Sequence, residues 1–174
     1  MKKLKGIGGL LAIMLLLSSL FGFALAEESG NEVFIYQYGD QNQAHLEQFG
    51  DGHYSFIYQE GNNNNATAGL SGNNNSTSQT QYGDRNTAEA FIQTGIGSSI
   101  IQIQTGNDNY ASATINGNDS SIEQYQIGNN NRSIAEIAGN DKTVQHFQIG
   151  NGLKGNPTLA TGNRSFLLLI QIEL

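Results

Sequence analysis

From residue 31 onward, polar and apolar positions alternate. In Asn42-Gln43-Ala44-His45-Leu46-Glu47-Gln48, Asn42, Ala44, Leu46 and Gln48 point one way, and Gln43, His45 and Glu47 point the other. A period of two predicts a strand. Each run ends in turn chemistry centred on glycine. The turn glycines are Gly39, Gly50, Gly61, Gly72, Gly83, Gly95, Gly106, Gly117, Gly128, Gly139 and Gly150, with Gly162 in the same phase. They lie eleven residues apart, apart from steps of twelve at Gly83–Gly95 and Gly150–Gly162. One glycine per fixed period marks a repeat architecture. The unit reads Gln-x-Gly-x-x-Asn-x-Ala-x-x-x, and its Gly-x-x-Asn segment is a turn signal. A helix is excluded, because Gly and Asn interrupt every run of helix formers.

Consecutive units differ, so the true period is twenty-two. One class reads Asn64-Ala66-Ala68-Leu70, Asn109-Ala111-Ala113-Ile115 and Asn131-Ser133-Ala135-Ile137. The other reads Asn75-Thr77-Gln79-Gln81, Ser98-Ile100-Gln102-Gln104 and Ser120-Ile122-Gln124-Gln126. Small residues on one strand facing larger ones on the next suit a thin interdigitated core. The predicted fold is all-β, a β-solenoid of about six strand-turn-strand rungs stacked at roughly 4.8 Å. Stacking sets each inward amide on its equivalent in the next rung. The expected amide ladder consists of Gln37, Asn42, Gln48, Gln59, Asn64, Gln81, Asn86, Gln104, Asn109, Gln126, Asn131 and Gln148. Buried amides are tolerable when they pair in this way.

Composition sharpens the picture. Asn occurs 21 times and Gln 15 times among 174 residues, while charged residues make up only 13%. Stacking explains the low charge, because identical charges on successive rungs repel. No cysteine is present, which excludes disulfides, thiolate metal sites and a thiol nucleophile. A net charge of −7 with eight basic residues argues against nucleic-acid binding. No cofactor is expected.

The N-terminus reads as an address. Lys2, Lys3 and Lys5 precede an apolar stretch from Ile7 to Leu25, and Ala24-Leu25-Ala26 forms an A-x-A-like cleavage site. Residues 1–26 are therefore expected to be a secretory signal peptide, with cleavage set by Ala24 and Ala26. The competing reading is a retained membrane anchor. Losing residues 1–26, with three lysines and no acid, takes the net charge from −7 to −10. Residues 27–30 would be a short leader, 31–151 the repeat solenoid, and 152–174 a degenerate unit. In that last unit Pro157 interrupts a strand, and Ser165–Gln171 forms a final strand, a cap or an apolar contact.

Ser98-x5-Gln104-x-Gly106-x2-Asn109-x-Ala111 and Ser120-x5-Gln126-x-Gly128-x2-Asn131-x-Ser133 resemble the curlin repeat. Residues 37–48 match its Gln-to-Gln portion throughout. The resemblance spans roughly residues 31–151. It implies a secreted subunit of curli, the functional amyloid fibres of bacterial biofilm matrix and surface adhesion. It also implies homo-polymerisation or co-polymerisation with another curlin subunit, and export by a dedicated pore with chaperone-type accessory proteins. A minor, nucleating subunit and a monomeric solenoid adhesin are the alternatives. The chain departs from the pattern where Leu70, Ile115 and Ile137 replace the closing Gln, and where an insertion puts Gln93 out of phase with Ile92. Both solenoid ends are open edges, and the β-prone Val33-Phe34-Ile35-Tyr36 is expected to add head-to-tail to another subunit.

No enzyme chemistry emerges. Of the three histidines, His45 is expected outward and His53 and His146 inward, several rungs apart. Asp40, Asp51 and Asp84 read as solvated turn residues, since the calcium-binding nonapeptide core is absent. No nucleophile elbow or phosphate loop appears.

Overall fold

The computed structural model describes residues 21–27, 30–159 and 164–173, and every regular element in it is a strand. Strands alternate between two parallel sheets. Sheet A contains, in spatial order, β1 (Phe21–Glu27), β3 (Gln43–Phe49), β5 (Asn65–Asn73), β7 (Thr87–Ile96), β9 (Tyr110–Asn116), β11 (Arg132–Ala138) and β13 (Lys154–Gly155). The short β14 (Thr158–Leu159) also pairs with β11. Sheet B contains β2 (Glu32–Tyr38), β4 (Tyr54–Glu60), β6 (Ser76–Tyr82), β8 (Ser99–Thr105), β10 (Ser121–Ile127), β12 (Lys142–Ile149) and β15 (Ser165–Ile172). The chain is a β-solenoid of about six turns. Ala44 lies on Ala66, Ala66 on Ala88 and Ala88 on Ala111, so the register advances by 22 or 23 residues per turn.

The two predicted classes are the two sheets. Sheet A buries small residues, with Ala66, Ala68, Ala88, Ala90, Ala111 and Ala113 at 1% exposure or less. Sheet B fills the space opposite with Ile57, Ile100, Ile122 and buried glutamines. Small against large keeps the two layers close, and alternate residues of every repeat strand are buried.

The insertion near Gln93 is absorbed locally. Ile92 keeps its place on Ile115, and the register then shifts between Ile92 and Thr94, leaving Gln93 exposed as a bulge. A bulge discards one residue to the surface and preserves the inward set on either side. Pro157 divides the last sheet A segment into β13 and β14, while its carbonyl still accepts from the Glu136 N–H at 3.1 Å. Ser165–Ile172 pairs along its length with β12. Phe21–Glu27 adds a strand upstream of the first expected one, with Ala24 beside Leu46 and Ala26 beside Gln48. Residues 1–20, Glu28, Ser29 and Gly162 lie outside the described residues.

The glycine phase has a steric cause. At Gly61, φ is +121°, and an added Cβ would drive into the carbonyl oxygen of Gly83 one rung on. The turns stack as closely as the strands, because their own N–H groups bond between rungs, as Gly83 N–H does to Glu60 O at 2.9 Å. Ten of the eleven turn glycines share a left-handed φ; Gly95, beside the bulge, does not. Two residues after each glycine a second left-handed residue occurs, for example Gln41, Asn63, Asn74 or Asp108. Sequence inspection missed that position, although its wealth of Asn, Asp and Gly is the expected signature.

These contacts separate two glycines of equal local freedom. Gly152 has φ +69° and nothing within 4 Å of a built Cβ. Gly152→Ala is expected to cost only the left-handed term, about 1–2 kcal/mol. Gly61→Ala meets fixed backbone as well and is expected to cost more than about 3 kcal/mol. Guanidinium unfolding of the two variants checks the order.

Candidate functional site

The inward amides form three separate columns, each with its own bonding. The first is a glutamine ladder along sheet B. Gln37 Nε2 donates to Gln59 Oε1 at 2.6 Å, and Gln59 Nε2 to Gln81 Oε1 at 2.8 Å. The chain continues through Gln104 and Gln126 to Gln148, with links of 2.8–2.9 Å. It ends on Gln171, whose Oε1 accepts from Gln148 at 2.9 Å. From Gln59 onward each Nε2 spends its second hydrogen on the opposite strand, as Gln104 does on Thr87 O and Gln171 on Lys154 O. The ladder is therefore polar, with every Oε1 toward the N-terminal end and every Nε2 toward the C-terminal end.

The second column contains Asn42, Asn64, Asn86, Asn109 and Asn131. Each Oδ1 accepts the backbone N–H of its successor, as Asn42 does from Asn64 at 3.0 Å and Asn109 from Asn131 at 3.0 Å. Each Nδ2 donates to the next rung's turn glycine, as Asn64 does to Gly83 O at 2.7 Å. This explains why Gly and Asn recur three apart: the glycine lets its carbonyl approach, and the asparagine satisfies it. Leu153 receives the last link through its N–H and offers no side-chain acceptor onward.

Gln48 stands outside both ladders. Its column continues with Leu70, Ile92, Ile115 and Ile137. Its Nε2 reaches Ser55 Oγ at 2.8 Å, but its buried Oε1 has no partner. The expected membership of Gln48 in the ladder is thus corrected: a ladder needs an amide on the adjacent rung, and Leu70 supplies none. Gln79 shows the same effect. It heads a shorter ladder through Gln102 to Gln124, and its Oε1 is unpaired beneath Ile57.

Sequence inspection missed a fourth column, in the turns themselves. Asn62 Oδ1 accepts Asp40 N–H, Asp84 Oδ1 accepts Asn62 N–H, and Asn107 Oδ1 accepts Asp84 N–H, at 2.8–2.9 Å. The signal was an Asn or Asp directly after the glycine, every twenty-two residues. Asp40 and Asp84, read as merely solvated, belong to it. Asp51 takes the equivalent place on the other edge, its N–H donating to Asn73 Oδ1 at 3.4 Å. Beside this column Arg85 pairs with Asp108 at 2.7 Å and holds that carboxyl below its ordinary pKa.

Three inward amide columns and glycine-locked turns bind each rung to the next, and among the described residues sheet B ends on β2 and β15. The family comparison agrees, since the model described as Curlin associated repeat matches residues 29–61. Residues 29–61 carry a curlin repeat. The matched segment contains Gln37–Gln48, the copy closest to the repeat pattern, and the solenoid fits a curli-type subunit. No curated protein and no solved structure matches the chain.

The histidines lie where alternation places them. His45 is exposed beside Glu47, while His53, just before β4, and His146, in β12, are buried on different columns. His146 is the unusual member of its column, which otherwise carries Gln124 above and Leu169 below. Its ring bonds Ser133 Oγ at 2.6 Å and Gln171 Oε1 at 3.0 Å. Gly155 makes room for it, since a Cβ there would strike the imidazole. None of these neighbours is charged, so burial lowers the histidine pKa below 6.5. The neutral ring is favoured in the fold. Stability is therefore full above pH 6.5 and falls as pH drops through that value toward the lower folded pKa.

Three outcomes are expected. Gln104→Leu takes one of the two acceptors of Gln81 Nε2 and the side-chain donor to Gln126 Oε1 and Thr87 O, and is expected to cost about 2–4 kcal/mol, whereas Gln48→Leu completes an apolar column and is neutral or stabilising. Guanidinium midpoints read both. Acidification from about pH 7.5 to about pH 5.5 is expected to speed amide exchange in β15, and His146→Gln, which suits the Gln124 ladder, to abolish that dependence.

Proposed function

We propose that this chain is a secreted structural subunit that polymerises head to tail into curli-type amyloid fibres at the bacterial cell surface, serving biofilm matrix and adhesion. The ends of the glutamine ladder carry this reading. Gln171 Nε2 has one hydrogen committed to Lys154 O, and its other is available along the axis. Gln37 Oε1 lies at the opposite edge, with only its Nε2 engaged in the ladder. A further copy added in register would set Gln37 on Gln171 and continue the ladder with unchanged polarity. The same register sets Val33 on Leu167 and Ile35 on Leu169, apolar on apolar. Among the described residues no strand pairs with β2 or β15 on its outer side.

Signal removal fits the same scheme. Cleavage after Ala26 takes away all of β1 but Glu27, and with it the strand lying on β3. Both sheets of the mature chain would then present open N-terminal edges, a template for strand addition. The heterologous contact does not close and so grows without limit. Export through a curli-type pore with its accessory chaperones belongs to this reading.

Purified mature chain is expected to form Thioflavin T-positive fibres after a lag. A chain lacking residues 164–174, which removes Gln171 and the apolar strand, is expected not to elongate wild-type seeds. Wild-type protein that stays monomeric at high concentration for days, or a truncated chain that elongates seeds as well as wild type, would overturn the proposal.

A further inference from the structure

The two outer faces of the solenoid differ in character. Eleven large hydrophobic side chains are exposed among the described residues, and nine of them belong to sheet B. Only Phe49 and Ile96 belong to sheet A. On sheet B the side chains cluster between neighbouring rungs, within columns and diagonally across them. Tyr38, Tyr58 and Tyr82 follow one another at centroid separations of 5.8 and 5.4 Å, and Tyr125 stacks flat on Phe147 at 4.8 Å. The strand at the C-terminal end turns Phe166, Leu168, Ile170 and Ile172 outward, all at least 45% exposed. So extended an apolar surface marks an interface.

Its size and charge select the partner. Seven strands at about 4.8 Å and seven residues at about 3.3 Å give a face of about 34 by 23 Å, or nearly 800 Å². A stable protein–protein interface needs about 800 Å² from each side. The outward strand positions of sheet B carry Glu32, Glu60 and Glu123 and no Lys or Arg; the outward strand bases, Arg132 and Lys154, are on sheet A. Carboxylates without bases disfavour an anionic lipid surface.

We propose that the outer face of sheet B is the lateral interface between two copies of this chain, packed sheet to sheet about a two-fold axis parallel to the solenoid axis. Under that symmetry each strand faces its own copy antiparallel, so the first outward position meets the last and the second meets the third. Glu32 then faces Tyr38, Glu60 faces Tyr54 and Glu123 faces Tyr125, each a carboxylate opposite a phenol that can donate to it. At the centre of β8, Ile101 faces Ile103. A two-fold axis parallel to the strands would instead set Glu60 on Ile149 and Glu32 on Phe166, burying charge against hydrocarbon. The chosen symmetry also keeps both stacks pointing the same way, so both can grow at one end.

The absence of cysteine makes the test direct. Chains carrying Ile101→Cys, mixed with chains carrying Ile103→Cys and oxidised, are expected to give a mixed disulfide dimer. The sheet A pair Ser112→Cys with Thr114→Cys is expected to give none. Fibres of Ile101→Lys/Ile103→Lys protein are expected to be one solenoid wide where wild type is two, with elongation along the axis retained. Cross-linking in both mixtures or in neither, or an unchanged width, would overturn the lateral interface. Fresh monomer tested by sedimentation separates this from the fibre reading: dimers without fibres leave the interface standing and remove the polymer.

Discussion

Every feature of this molecule depends on parallel, in-register stacking of equivalent positions. A side chain's axial neighbour is its counterpart one turn earlier, so each residue must be compatible with something like itself. Glutamine and asparagine meet that condition because an amide both donates and accepts. Alanine and isoleucine meet it by packing. Carboxylates do not, and no two strand carboxylates occupy neighbouring rungs of one column. The low charge of the chain is the compositional trace of that rule.

Polarity follows from the same constraint. An amide ladder points in one direction, and so does the backbone Asn column. The molecule therefore has two chemically distinct ends. In the glutamine ladder acceptors lead at the N-terminal end and donors trail at the C-terminal end, while the links from backbone N–H to Asn Oδ1 run the opposite way. Where a column switches from amide to apolar, as at Ile57–Gln79 and Gln48–Leu70, an acceptor is stranded in the core. Those two positions are the local cost of building both an apolar core and a hydrogen-bonded one in a layer a few ångströms thick. His146 is a third compromise: it extends a glutamine column with a ring whose burial favours the neutral form.

The turns are as ordered as the strands. Their N–H groups bond from rung to rung, and their Asn and Asp side chains add a further column outside the core. Edge turns in a globular sheet can vary freely. Here a substitution at a turn glycine propagates to the next rung, because the nearest atom to its missing Cβ is that rung's backbone.

Much of this was legible from residue order alone. Alternation placed the strands, the glycine phase placed the turns, and the split into small-residue and amide-rich classes separated the two sheets. It also placed His53 and His146 inward and His45 outward. These are local or periodic properties, and a one-dimensional pattern determines them because each rung repeats the last. What periodicity cannot reveal is which neighbours meet across a rung or where a column ends. Gln48 carries the motif glutamine yet lies outside the ladder, since the identity of Leu70 decides its bonding. Gln171, in a segment whose phase is broken, nonetheless closes the longest ladder, because β15 regains the register only by pairing with β12. The second left-handed turn position, the fit of His146 against Gly155 and the apolar outer face of sheet B likewise arise from atoms brought together between distant rungs. Sequence determined the repeat and its chemistry; tertiary structure decided which amides pair, which are stranded and which face is left open.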